Sequence, residues 1–367
     1  MITLSSYHIT EILYQGTRTA VYRGTRNKNN QPVIIKVLRN KSPKFNELLQ
    51  FHNQYVLTHN LQHPTIVQPL SLERYGNGYS LVMPDNGAIA LRDYWYGGVK
   101  IMAPESEQNL SEFLKIAIQL AECLHYLNQE RIIHKDIKPA NILIHAETKQ
   151  IQLIDFSIAS LLPKEQIELT NPNVLEGTLA YISPEQTGRM NRGIDYRTDF
   201  YSLGVTLFEL LTGELPFTTD DAMELVHCHL AKMPRIGSSV ESGTQIPQMV
   251  IEIVMKLIAK NAEERYQSAL GLKYDLEKCL EQWESRGEIA QFELGERDVS
   301  DRFLIPEKLY GRESEIATLL AAFERITKGT SEMMLVAGFS GIGKTAVVNQ
   351  VHKPITRQQG YFIKGKF

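Results

Sequence analysis

The stretch Ile132–Ile144 reads IIHKDIKPANILI. Apolar β-branched ends enclose His134, Lys135, Asp136 and Lys138, followed by Pro139 and Asn141. The run NILI is followed, after HAETKQ, by IQLI, and the pair predicts a small hairpin. Nineteen positions beyond Asp136, directly after that hairpin, stands a second acidic group in Asp155–Phe156–Ser157.

Upstream, residues 8 to about 100 alternate strand-like runs with turns. VYRGT, PVIIKVL and YSLVM are separated by NKNNQ and YGNG, which read as hairpin connections. Between the second and third runs, SPKFNELLQFHNQYVLTHNL reads as a helix ended by His63–Pro64. A small sheet with one helix is expected. Lys36 lies inside the apolar run VIIKVL, where an ammonium is costly without a partner. From Asn109 the period becomes helical: Phe113, Ile116, Ala117, Leu120, Leu124 and Leu127 share one face. Helices then dominate through about Leu280.

Downstream, Gly177–Thr178 and Ser183–Pro184–Glu185 precede the apolar segment YSLGVTLFELLTG, and Arg265 follows in AEERYQS. Taken in order, these motifs resemble the eukaryotic-type serine/threonine protein kinases over residues 7–281. HKDIKPAN stands for that family's catalytic loop H-R-D-x-x-x-x-N, and VIIK for its V-A-I-K. The resemblance implies a bilobal α+β fold with a small lobe over 7–86 and a large lobe over 87–281. It implies ATP and Mg²⁺, with Asp136 accepting the hydroxyl proton, Lys138 neutralising the transferring phosphoryl and Lys36 orienting the phosphates. Asn141 and Asp155 are then the metal ligands. Phe156 packs beneath the small-lobe helix, Thr178 bonds near Asp136 and Lys138, and Asp199 anchors the catalytic loop around His134. Arg265 pairs with Glu185. The expected adenine pocket takes Leu13, Val21, Ile34 and Met83, with the backbone of Pro84 and Asn86 reading the base edge.

Three departures stand out. The family's glutamate partner of Lys36 falls on Gln54, which offers an amide in place of a charge. Ser157 replaces the glycine of D-F-G. In LYQGTRTAVYRG only Gly16 remains of G-x-G-x-x-G, with Tyr14 and Thr19 at the other positions. These departures keep an alternative open: a pseudokinase, meaning a nucleotide-binding module that regulates a downstream NTPase or sensor. Lys36, Asp136, Asn141 and Asp155 favour an enzyme. Thr170 is a candidate phosphorylation site in the activation segment.

Residues 282–305 are charged and poor in apolar runs, and read as a linker. Beyond them, residues 306–367 offer a helix in YGRESEIATLLAAFERITKG, a buried strand in MMLVAG, a second helix from Gly343 and a second strand in YFIKGKF. GFSGIGKT fits G-x-x-x-x-G-K-[ST] through Gly338, Gly343, Lys344 and Thr345. Such a loop cradles phosphates on backbone N–H groups, with the lysine on the terminal phosphates and the hydroxyl on Mg²⁺. The start of an α/β P-loop domain of AAA type is expected, cut short before a second acidic strand end. The wording of YGRE, SGIGKT and SPEQTGRMNRGIDYRTDFYSLG resembles the large multi-domain kinases of cyanobacteria and some other bacteria. In those, a kinase domain precedes an ATPase region and then sensor and histidine kinase domains, which makes such domains expected partners.

The whole chain has 367 residues, 43% hydrophobic and 22% charged, with a formal net charge of -3. That balance suits a globular chain and argues against general affinity for nucleic acid or anionic membrane. Cys123, Cys228 and Cys279 lack metal or disulfide spacing and read as buried thiols of a reducing compartment. No secretory signal or membrane span is expected, so the cytoplasm is the expected location. The expected macromolecular partner is a protein substrate bearing Ser or Thr.

Overall fold

The computed structural model describes residues 6–40, 42–97, 107–161, 177–189, 193–235, 246–299, 311–327, 329–339 and 344–349. They fall in two units, residues 1–301 and 302–367. Thr170 and Gly343 lie outside the described residues, as does the expected strand YFIKGKF.

The first unit opens with β1 (Tyr7–Gln15), β2 (Thr19–Arg26), β3 (Gln31–Leu38), α1 (Phe45–His59), β4 (Ser71–Tyr75) and β5 (Gly78–Pro84). The strands form one antiparallel sheet in the order β1-β2-β3-β5-β4. Strand alternation explains its two faces. Ala20, Tyr22, Val33, Ile35, Val37 and Val82 cluster with Tyr7 on the buried side. Val21 pairs with Lys36 and Ile34 with Met83, so these four share the opposite face. Helix α1 packs through Phe51 against Leu38 and Leu81.

Next come β6 (Ile89–Ala90), α2 (Leu91–Tyr96), α3 (Glu107–Gln129), β7 (Ile132–Ile133), β8 (Ile142–Ile144), β9 (Ile151–Leu153) and β10 (Ser160–Leu161). The hairpin expected from NILI and IQLI is β8–β9, joined by β6. Strand β10 pairs with β7. The apolar face read on α3 is buried along its length. The lobe is completed by α4 (Arg197–Thr212), α5 (Ala222–Ala231), α6 (Gln248–Leu257) and α7 (Ala269–Arg286). Helix α4 is the axis: apart from Glu209 and Thr212 its residues are buried. All three cysteines are buried and free. The result is an α+β fold, a small antiparallel-sheet lobe on a helical lobe.

The stretch expected as a linker begins inside α7, and residues 290–298 return along that helix rather than leading away from it. Composition misled here because the returning segment is held by charges, rings and backbone groups, not by an apolar run.

The second unit contains α8 (Glu313–Ile326) and α9 (Lys344–Asn349). The buried strand expected in MMLVAG is not found: Met333 is 96% and Leu335 90% exposed, and the segment is irregular. A strand needs a ladder partner for its N–H and C=O groups, and the described residues of this unit supply none.

Candidate active site

The loop between β7 and β8 is pinned from below. Asp199, in the first turn of α4, accepts the backbone N–H of His134 through one oxygen and that of Lys135 through the other, both at 2.8 Å. Burial pushes the Asp199 carboxyl up, with His134 and those two backbone groups pulling the other way. His134 is fully buried, bonds the Ile154 carbonyl at 3.0 Å and meets the Phe156 ring edge-on at 4.7 Å. Lys135 takes a positive φ of 70°, as a chain reversing sharply at this point requires.

Asp136 is surrounded by donors. Lys138 Nζ lies 2.5 Å from Asp136 Oδ2 and also donates to the Thr178 hydroxyl. Thr178 N–H reaches Asp136 Oδ1 at 3.0 Å. Asn141 Nδ2 donates to the backbone oxygen and Oδ2 of Asp136 at 2.9 and 2.8 Å. Because the amide nitrogen is turned to Asp136, Asn141 keeps its oxygen for another partner.

Lys36 crosses from the sheet. Its Nζ is 2.7 Å from Asp155 Oδ1 and 3.1 Å from Gln54 Oε1, and 5.5 Å from the centroid of the Phe51 ring. Gln54 is buried, so its amide oxygen meets the ammonium without water between them. Glu47 is engaged elsewhere, accepting the Lys44 N–H at the start of α1. Burial opposes charge on Asp155, but the Lys36 charge and hydrogen bond, with Ser157 and His134, outweigh it and hold the carboxyl at about 2. Ser157 therefore contributes a hydroxyl donor where glycine has none. Asp155 itself sits at φ 67°, a strained position that aspartate tolerates better than most residues.

Val21, Ile34 and Met83 share the Lys36 face of the sheet, and Leu13 stands exposed on β1. Pro84 ends β5 and offers only its carbonyl. The following segment is braced: Asp85 receives Arg23 Nε at 2.8 Å, and its N–H reaches the Pro32 carbonyl. Gly16 N–H closes the hairpin tip on Thr19, whose carbonyl accepts it, while Arg39 donates to the Gly16 carbonyl. A residue from the end of β3 thus steadies a loop short of glycines.

At the far end of the activation segment, Glu185 and Arg265 form two parallel bonds of 2.7 and 2.8 Å, both side chains almost fully buried. Burial disfavours the charged Glu185, but the Arg265 charge and bonds and the Thr198 hydroxyl outweigh it, holding the carboxyl at about 2.

The structure also assembles residues that sequence reading passed over. Asn53 Nδ2 donates to the Ala159 carbonyl at 2.9 Å, tying α1 to the segment after Asp155. Gln186 donates to the Lys135 carbonyl at 3.0 Å and accepts the Ser183 N–H at 3.0 Å. Neither has a signature in a single sequence.

In the second unit, Lys344 Nζ donates at 2.7 Å to the carbonyls of Gly338 and Phe339, so the loop's lysine is folded onto its own backbone. Lys344 opens α9, and Thr345 is the second residue of that helix.

A two-lobed fold with a lysine, an amide and two acidic groups gathered in its cleft is the arrangement of a protein kinase. The protein kinase domain model matches residues 7–276, and the chain belongs to that family. An AAA ATPase domain model matches residues 308–367. The chain is 33% identical over 345 residues to the hybrid signal transduction histidine kinase G of Dictyostelium discoideum, covering 71% of this chain and 10% of that protein. It is 31% identical to the serine/threonine-protein kinase PknB of Mycobacterium tuberculosis, covering 74% of this chain and 42% of PknB. Against the serine/threonine-protein kinase PrkC of Bacillus subtilis the identity is also 31%, covering 75% of this chain and 40% of PrkC. The chain thus spans less than half the length of these relatives.

Proposed function

We propose that this chain binds ATP in the cleft of its first unit and transfers the γ-phosphoryl group to serine or threonine hydroxyls of a protein substrate. The observation carrying this reading is a pair of hydrogen-bonded sets, Lys36 with Asp155 and Asp136 with Asn141 and Lys138, tied together where the Ile154 N–H donates to the Asn141 carbonyl at 2.9 Å. Phosphoryl transfer depends almost wholly on positioning and on neutralising phosphate charge. Lys36 orients the phosphates. Asp136 receives the hydroxyl proton of the substrate, and Lys138 stands beside it to meet charge on the transferring group. Leu13, Gly16, Val21, Ile34 and Met83 enclose the nucleotide, with Pro84 and Asn86 at the base edge.

Asp155 and Asn141 are the residues that would hold Mg²⁺. Among the described residues no cluster of three or more metal-binding side chains exists. The donor set nevertheless fits, because Mg²⁺ takes one or two protein oxygens and completes its shell with phosphates and water. When bound, the ion supplies positive charge that screens the phosphate oxygens.

The rival reading, a nucleotide-binding module without transfer, draws on Gln54 and Ser157. Against it, Gln54 still gives Lys36 a partner at 3.1 Å, and Ser157 strengthens the anionic state of Asp155. We further propose that Gly338, Gly343, Lys344 and Thr345 bind a second nucleotide, and that the chain works in the cytoplasm within a longer signalling protein of cyanobacterial type with sensor and histidine kinase domains. The free buried thiols and the Dictyostelium relative support that placement; no described helix is long and apolar enough to cross a membrane.

The test is phosphoamino-acid analysis after incubation with γ-labelled ATP, Mg²⁺ and myelin basic protein. Label on phosphoserine or phosphothreonine is expected. Label confined to phosphotyrosine would overturn the assigned specificity.

A further inference from the structure

Residues 288–298 lie between the two matched family models, which end at 276 and begin at 308. They are held to the helical lobe at every step. Gly287, at φ 70°, ends α7 and turns the chain back. Ala290 N–H then reaches Gln282 Oε1 at 2.8 Å, and Lys278 Nζ lies 4.3 Å from the Phe292 ring centroid. Further along, Gly295 N–H bonds Asp275 Oδ2 at 2.8 Å, and the Arg297 guanidinium covers the Tyr274 ring at 4.3 Å. The contacts step backwards along α7, from residue 282 to 278, 275 and 274.

The segment ends on Asp298, whose carboxylate closes the N-terminus of α7. It accepts the Gln267 N–H at 2.8 and 3.0 Å, the Ser268 N–H at 2.7 Å and the Ser268 hydroxyl at 2.9 Å. Three donors making four contacts with one carboxylate, at the positive end of a helix, form a strong local fastening. The packing is close: a Cβ on Gly271 would lie 2.6 Å from Asp298 Cα. Only Tyr266 separates the fastened Gln267 and Ser268 from Arg265, which holds Glu185. Gln267 also accepts the Tyr196 hydroxyl on its carbonyl and Arg197 Nη1 on its side chain, both at 2.7 Å. Tracing back along α7 moves the chain about 27 Å from the helix end to the loop that anchors the activation segment.

We propose that residues 288–298 are a strap, latched by Asp298, that sets the position of the substrate-docking end of the activation segment through Arg265 and Glu185. Asp298 is a positioning residue. The stretch of chain leading on to the P-loop unit thereby bears on protein-substrate docking while leaving nucleotide binding alone. The inference rests on the kinase reading for its kinetic consequence, though not for its structural one.

Two full-length variants test it from opposite sides. Asp298→Ala removes the acceptor, and Gly271→Ala leaves the carboxylate intact but places a methyl group against Asp298 Cα. In both, the KM for myelin basic protein should rise about three- to tenfold with the KM for ATP within about twofold of wild type, and Asp298→Asn should recover part of the loss. Amide hydrogen exchange over residues 179–187 should quicken, while exchange in β3 and α1 stays unchanged. If Asp298→Ala does not fold, Asp298→Asn and Gly271→Ala carry the comparison. Lowered Tm with unchanged protein-substrate KM and unchanged exchange over 179–187 would reduce the strap to a stabilising element and overturn the proposal. Should wild-type protein transfer no phosphate, the kinase reading fails alone, and the exchange measurement still decides the strap.

Discussion

Lys36 of the sheet and Asp155 of the helical lobe meet with 2.7 Å between Nζ and Oδ1, although 119 residues separate them in the chain. The same ammonium keeps a second, neutral partner in Gln54. One cation thus joins strand, helix and loop at the point where the phosphates are proposed to lie.

Removing either charge should stop transfer without unfolding the chain. Lys36→Met and Asp155→Asn are each expected to lower phosphate incorporation by about a hundredfold or more, the scale seen when one electrostatic group is lost from an active site. Far-ultraviolet circular dichroism should stay unchanged. Residual activity within a few-fold of wild type would contradict the roles assigned to the pair.

Gln54 offers a gain-of-function test. A glutamate there would replace a neutral acceptor by a charged one and turn the Lys36–Gln54 hydrogen bond into a buried ion pair. Gln54→Glu should therefore raise turnover several-fold, and Gln54→Ala should lower it. No change in kcat for either would remove the Lys36–Gln54 contact from the account of activity.

The Glu185–Arg265 pair should carry structural weight. Arg265→Met leaves a buried carboxylate without its partner, which costs about 3–5 kcal/mol. Glu185→Leu with Arg265→Met should lose less than Arg265→Met alone, because no unpaired charge then remains. Urea denaturation measures both. A single-variant loss below about 1 kcal/mol would mean that the cation is dispensable.

The same pair sets a pH dependence. Folding lowers the Glu185 pKa from 4.5 to about 2. The stability it contributes is present above pH 4.5 and is lost as the pH falls toward about 2, since the unfolded chain takes up the proton first. Asp155, lowered from 3.8 to about 2, contributes likewise over the narrower range between those values. Glu185→Gln should flatten the decline between pH 4.5 and 2, followed by urea midpoints. An unchanged slope would contradict the assignment.

Much of this arrangement was legible in the residues because the family spaces its polar groups along the chain in a fixed order. The α3 face and the β8–β9 hairpin were legible for a simpler reason, the period of their apolar side chains. What escaped was held by other forces. The strap at 288–298 is fastened by backbone N–H groups, a guanidinium over a ring and one carboxylate, none of which leaves a periodic trace. Asn53 and Gln186 bind carbonyls far away in sequence, so their partners are fixed only by the fold. MMLVAG reads as a buried strand from composition, yet strand structure requires neighbours that the described residues of its unit do not provide.

The most direct test of the account is the transfer of label from γ-labelled ATP with Mg²⁺, comparing wild type with Asp136→Asn. That substitution is nearly isosteric and removes only the group proposed to accept the hydroxyl proton. Label on protein with wild type, reduced to background with Asp136→Asn, is the predicted result; equal labelling by both, or none by a wild type that binds ATP tightly, would contradict it.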